Sequence, residues 1–124
     1  MRWPGSIFAA AAVMIGIVAT TSPAFAEFGA FAYDSATGKY GFSWNERDQG
    51  AADAAALKGC VAEGCKVVFR VGPKRCGAIA LTEDGKVWGG AWRDTRDGAK
   101  LAAIEDCQKR TKGQCIIRGN ECNR

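Results

Sequence analysis

The sequence predicts an α+β fold: a single small domain that is held by disulfides and made of two tandem ββαβ-like repeats. Three observations predict it. The chain repeats itself at an offset of 48 residues (from Gly41 to Gly89), apolar spacing changes from alternating to helical within each copy, and all six cysteines lie in the repeated part. The copies are residues 28–72 and 75–124.

The internal repeat is clearest at residues 28–33, which align with residues 76–81 at this offset. The same alignment superimposes Gly41 on Gly89, Trp44 on Trp92 and, one residue out of register, Cys60 on Cys107. A fixed offset with coincident glycines, tryptophans and cysteines indicates a duplicated unit. A short turn at residues 71–75 joins the copies, so we expect them to share one sheet or one core.

Copy one begins with a predicted hairpin, in which strands at 29–33 and 40–44 flank a polar turn at 34–39. Asp48 is the candidate N-cap of the following helix. That helix carries a narrow stripe of small residues at intervals of four: Ala52, Ala56 and Cys60. Residues 66–71 are rich in valine and predict a returning strand.

Copy two repeats this order with strands at 77–82 and 87–92, a turn at 83–85 between them, and Thr95 as the helix cap. The helical stripe recurs as Ala99, Ala103 and Cys107. Residues 115–118 predict a short closing strand. Small residues on both helices indicate close packing against a sheet.

The first 26 residues predict an export signal. Arg2 supplies a positive charge, residues 7–18 are almost uninterruptedly apolar, and residues 24–26 (Ala-Phe-Ala) have the form of a signal-peptidase site. A retained anchor helix is the less favoured alternative, because the apolar core is shorter than the roughly 20 residues that span a bilayer. We therefore expect residues 27–124 to be released as a periplasmic or secreted domain without membrane insertion.

An even number of cysteines in an exported domain predicts three disulfides. A metal site is the weaker alternative, since the chain has no histidine and no C-x2-C pair. Sequence alone does not select a pairing, but the repeat favours one in which each helix end is joined to the next strand and the remaining two cysteines pair: Cys60 with Cys65, Cys107 with Cys115, and Cys76 with Cys122.

Charge gives little functional information. The 17 basic and 13 acidic residues are interspersed, which predicts no nucleic-acid partner. Lys109, Arg110 and Lys112 cluster after the second helix. We interpret them as a solvated helix end whose cations complement the helix dipole, in preference to an anion-binding patch.

No catalytic residue, cofactor or metal is predicted. Histidine is absent, the cysteines are expected in disulfides, Ser43 lacks a G-x-S-x-G context, and no phosphate-binding glycine motif is present. Seven acids lie near predicted turns or helix starts, where they usually bond to the backbone: Asp34, Glu46, Asp48, Glu83, Asp84, Asp94 and Asp97. A pair of them in a carboxylate-dependent hydrolase is a minor alternative.

Aromatic residues occupy every second position of the second strand in each copy, except that a glycine takes the middle position in copy two. The positions are Tyr40, Phe42 and Trp44 in the first copy and Trp88, Gly90 and Trp92 in the second. The favoured interpretation is the inner face of a sheet covered by a helix. The alternative is an exposed platform on which a sugar or a partner loop stacks. Gly90 is the asymmetric position and would open a gap in such a surface.

Segments of both copies resemble a bacterial family, domain-of-unknown-function family 4189: Gly29-Ala30-Phe31-Ala32-Tyr33, Tyr40-Gly41-Phe42-Ser43-Trp44-Asn45, Ala56-Leu57, Cys65-Lys66-Val67-Val68, Cys76-Gly77-Ala78-Ile79-Ala80 and Trp88-Gly89-Gly90-Ala91-Trp92. The chain departs from the family pattern at residues 49–51 and at Gly90. The resemblance implies bacterial export and no established activity. Some similar proteins serve as immunity or interaction proteins of the cell envelope.

Three functions follow as hypotheses. The first is an exported, non-enzymatic binding or inhibitor/immunity-like protein that presents loops 46–48 and 93–97 to a protein partner in the envelope or exterior. The second is a glycan-binding module that uses Trp88 and Trp92. The third is the small hydrolase.

Overall fold

The computed structural model describes residues 27–124 together with Gly16. The predicted export signal at 1–26 therefore lies, apart from Gly16, outside the described residues. The elements follow the chain as β1 (Phe28–Tyr33), β2 (Tyr40–Glu46), α1 (Gln49–Cys60), β3 (Lys66–Val71), β4 (Cys76–Thr82), β5 (Trp88–Arg93), α2 (Arg96–Gln108) and β6 (Cys115–Cys122). The α+β domain of two ββαβ repeats is confirmed.

The strands form two separate antiparallel sheets, one in each repeat, with the equivalent orders β2-β1-β3 and β5-β4-β6. β6 is four residues longer than predicted, because its ladder with β4 continues past Gly119 until Cys122 pairs with Cys76. The strand pairs β1–β3 and β4–β6 shift register after equivalent residues, Phe31 and Ile79. The repeats are therefore alike down to this irregularity.

Each helix covers one face of its own sheet through small residues. The predicted caps form, since Asp48 accepts the N–H of Ala51 at 2.7 Å and Thr95 accepts that of Gly98 at 3.1 Å. The buried helix–sheet contacts are Ala30, Ala32, Ala52, Ala56 and Cys60 in repeat one, and Ala78, Ala80, Ala99, Ala103 and Cys107 in repeat two. A Cβ at Gly41 or Gly89 would overlap the helix backbone, so glycine permits this close approach.

The opposite faces of the sheets pack on each other and form the shared core: Phe31, Tyr33, Val71, Ile79 and Leu81, with Tyr40, Trp44, Val68, Phe69 and Trp88 partly buried beside them. The layers are helix, sheet, sheet, helix. The prediction that a helix covers the aromatic face of the sheet is wrong. Alanine and glycine face the helices, whereas the aromatics face the other sheet, because only small side chains fit beneath a helix that lies so close.

Three disulfides form, in the pairing that the repeat favours. Cys60–Cys65 and Cys107–Cys115 join helix ends to the next strand with Cα–Cα distances of 6.2 and 6.1 Å. Cys76–Cys122 crosslinks paired residues of β4 and β6. Three disulfides indicate an oxidising location outside the cytoplasm. Within the described residues, no helix has the length and apolar character needed to cross a membrane.

Candidate functional site

The two loops predicted to bind a partner lie at the same end of the molecule. β2 and β5 run antiparallel to β1 and β4, so Glu46 lies beside Phe28 and Arg93 beside Cys76. The starts of β1 and β4 are themselves close, since the ring of Trp44 packs on both Gly29 and Gly77. We call residues 45–48, 72–75 and 92–97 the loop end.

Trp92 is the most exposed aromatic side chain of the described residues, at 49%. Its counterpart in repeat one, Trp44, is partly buried in the shared core and meets Phe31 edge-on at 5.2 Å. The guanidinium of Arg75 lies 5.6 Å from the centre of the Trp92 ring and also pairs with Asp94. The duplicated tryptophans therefore have different roles, and the exposed one carries a cation.

Charged residues of the loop end form exposed ion pairs and hydrogen bonds. Arg96 bonds to Glu121 at 2.7 Å and to the side chain of Asn120 at 2.9 Å, while Arg93 donates to the Trp92 carbonyl at 2.6 Å. The Arg96 hydrogen bond, with help from the N–H of Cys122, lowers the pKa of Glu121 below its ordinary value. Exposed pairs of this kind add little stability, so they form a polar rim rather than a structural clamp.

The last residues of the chain fix the loop end in place. Asn123 is buried and donates through Nδ2 to the carbonyls of Val71 and Gly72, each at 2.9 Å. Its Oδ1 accepts the N–H of Asn45 at 2.9 Å, and its own N–H donates to Arg75. One side chain thus connects β2, the turn between the repeats and the chain end, which holds the loops in a defined arrangement.

Residues 28–122, which hold both repeats and all three disulfides, match the family model described as Domain of unknown function (DUF4189). The chain belongs to this family. Comparison with curated proteins and with solved structures gave no match. The DUF4189 unit is therefore the whole layered domain from β1 to β6 and not one repeat of it.

The acids singled out in this DUF4189 domain serve mainly turns, caps and ion pairs. Asp34 accepts the hydroxyl of Thr37 at 2.7 Å and the N–H of Ala36 at 3.1 Å, and these bonds lower its pKa. Asp84 has a similarly lowered pKa, chiefly because it accepts the hydroxyl of Thr82. Asp48 is the cap of α1 and Asp94 pairs with Arg75. Glu46, Glu83 and Asp97 make no comparable bond to a turn among the described residues.

The aromatic positions of the DUF4189 domain are divided between core and surface. Tyr40, Trp44 and Trp88 are partly buried against the shared core, whereas Phe42 and Trp92 are exposed at 42% and 49%. Arg110 lies 4.9 Å from the centre of the Trp88 ring and occupies one of its faces. Sequence reasoning did not find Arg75, because nothing in a five-residue turn indicates that its last side chain lies on a tryptophan.

Proposed function

We propose that this DUF4189 protein is an exported, non-enzymatic binding protein, of the inhibitor or immunity type, that engages a protein partner of the bacterial envelope or exterior through its loop end. The predicted signal at 1–26 and the three disulfides support export to the periplasm or beyond. The exposed Trp92 with Arg75 on its ring is the observation that carries the proposal.

Tryptophan and arginine dominate the binding energy of protein interfaces, and a polar rim around them is typical. The loop end has this composition, because it holds Trp92 and Arg75 together with the charged residues Asp94 and Arg96. The bonds of Asn123 and the disulfide at its neighbour Cys122 reduce the ordering cost that a flexible loop would incur on binding.

The glycan-binding alternative has weaker support. Trp88 has one ring face covered by Arg110, and Trp92 has one covered by Arg75. A sugar would have to displace the cation or use the opposite face. Trp92 remains the best position for stacking a sugar, so the Trp92→Ala variant tests both the protein-binding and the glycan-binding function.

The test is affinity capture from a periplasmic extract and culture medium, with Trp92→Ala beside a matched control. Leu101→Ala removes another exposed apolar side chain, 65% exposed, from the outer surface of α2. We expect a protein that the wild type and Leu101→Ala retain and Trp92→Ala loses, and that forms a defined complex when purified. Equal retention of the partner by all three forms would exclude the loop end as the binding surface. Loss of a soluble oligosaccharide with Trp92→Ala would favour the glycan module.

A further inference from the structure

A cleft between the repeats lies at the other end of the sandwich, where the strand turns are. The turns of the two hairpins touch there, with Gly38 packed on Gly85 and the Tyr33 hydroxyl donating to the Gly85 carbonyl. The cleft has a volume of about 610 Å³, within the range of about 300–1,000 Å³ typical of ligand pockets. Both repeats contribute to it, so it exists only in the assembled domain.

The wall of the cleft is apolar. Val68 comes from repeat one, and Val87 and Trp88 come from repeat two. Phe69 lies parallel to Trp88 and stacks on the buried Phe31, which anchors this wall in the core. The wall is therefore rigid and is suited to a ring or another apolar body.

The rim of the cleft is cationic. Lys66 begins β3, Lys86 lies in the turn before β5, and Arg110 follows α2, so three distant segments converge there. Within residues 27–124 neither lysine has a carboxylate within salt-bridge distance. Arg110 is held by the Trp88 carbonyl at 2.5 Å and by Asp106 at 3.4 Å, and its guanidinium lies on the Trp88 ring.

Among the described residues that line the cleft, Asp34 is the one acid. It is 4% exposed, and both its carboxylate oxygens already accept hydrogen bonds within its own turn. It keeps its negative charge but forms no ion pair with either lysine, so the cleft is lined by three cations and one acid. Cations that gather around a concave site with a low-dielectric wall focus a positive potential into that site.

We infer that the cleft between the repeats is a binding site for a small organic anion that carries a ring. Its acidic group, a carboxylate, sulfonate or phosphate, would lie among Lys66, Lys86 and Arg110, and its ring would lie against Val68, Val87 and the part of Trp88 that Arg110 leaves uncovered. The helix-end cation Arg110 is thus part of an anion site rather than only a solvated terminus. This site lies at the opposite end of the domain from the loop end, so the inference does not rest on the proposed protein partner.

The probe is 8-anilinonaphthalene-1-sulfonate, a ring-bearing anion whose fluorescence rises on binding, titrated into the folded, oxidised domain. Its neutral analogue N-phenyl-1-naphthylamine is the control ligand. We expect one saturable site for the anion, weakened by salt, and affinity for the neutral analogue lower by about tenfold or more.

The variant Lys66→Gln/Lys86→Gln should lose affinity for the anion by about tenfold or more, while Lys58→Gln/Lys100→Gln, which removes the same charge from the two helices, should bind as the wild type does. A circular dichroism spectrum confirms that both variants are folded. Three results would overturn the inference: no binding to the wild type, equal affinity for the neutral analogue, or equal loss in both double variants.

Discussion

The ring of Phe69 packs against Gly90 across the two sheets, so closely that a Cβ at residue 90 would overlap the ring. Phe42 packs less tightly on Gly119, where a Cβ would lie 3.1 Å from the ring. The two phenylalanines flank Phe31 in one sheet, and the two glycines flank its equivalent Ile79 in the other. Duplicated positions have thus become large in one copy and small in the other. The Phe69 ring takes the space that a side chain at Gly90 would fill, and both residues line a small surface cavity.

Gly90→Ala is predicted to destabilise the domain by about 1–3 kcal/mol, because the added methyl group overpacks the contact with Phe69. Urea unfolding of the oxidised protein measures this change. Gly72→Ala is the matched control, since a Cβ there meets no atom within 4 Å, and it should change stability by less than about 0.5 kcal/mol. If Gly90→Ala is as stable as the control, the sheets do not pack as described.

Val61→Gly is predicted to stabilise the domain by about 0.5–1 kcal/mol. Val61 ends α1 in the left-handed region (φ 59°) and is 74% exposed, so its branched side chain strains the backbone and contributes little burial. Val61→Asn tests the same cause, because asparagine tolerates this conformation better than valine does. A lower melting temperature for both variants would contradict the explanation.

The disulfides are predicted to differ in their contributions according to the chain length they close. Cys76–Cys122 spans 46 residues and Cys60–Cys65 spans 5. The chain-entropy relation gives about 4 kcal/mol for the first and about 2 kcal/mol for the second. Unfolding of the Cys76→Ala/Cys122→Ala and Cys60→Ala/Cys65→Ala variants measures both, and the opposite order would exclude this entropic account.

Stability is predicted to fall in acid. The hydrogen bond from Arg70 is the largest cause of the lowered pKa of Asp53, and hydrogen bonds from Thr37 and Ala36 lower that of the buried Asp34. A pKa lowered by folding means that the unfolded chain binds protons first. This stability is therefore complete above the ordinary carboxyl pKa of about 4 and is lost as the pH falls through the folded values.

Urea unfolding from about pH 7 to pH 2 checks the acid prediction. The free energy of unfolding should stay level down to about pH 5 and then decline, and Asp53→Asn should decline less steeply than the wild type. A wild-type value at about pH 3 equal to that at pH 7 would contradict the prediction.

Much of the fold could be predicted from the sequence, because strand alternation, helix caps and helical stripes are local patterns. The disulfide partners of Cys60 and Cys107 could also be predicted, because the repeat places both cysteines at equivalent helix ends. The separation into two sheets could not be predicted, since it depends on contacts such as that of Phe69 with Gly90, which are distant along the chain. Trp44 and Trp92 occupy the same position in the two copies, so only the structure reveals which one is exposed.

The most direct test of the proposed binding function places a photoreactive p-benzoylphenylalanine at residue 92 or at residue 101 of the protein and irradiates living cells. We expect a discrete crosslinked adduct of one partner from residue 92 and none from the exposed position of Leu101. No adduct from residue 92, or the same adducts from both positions, would contradict the role of the loop end.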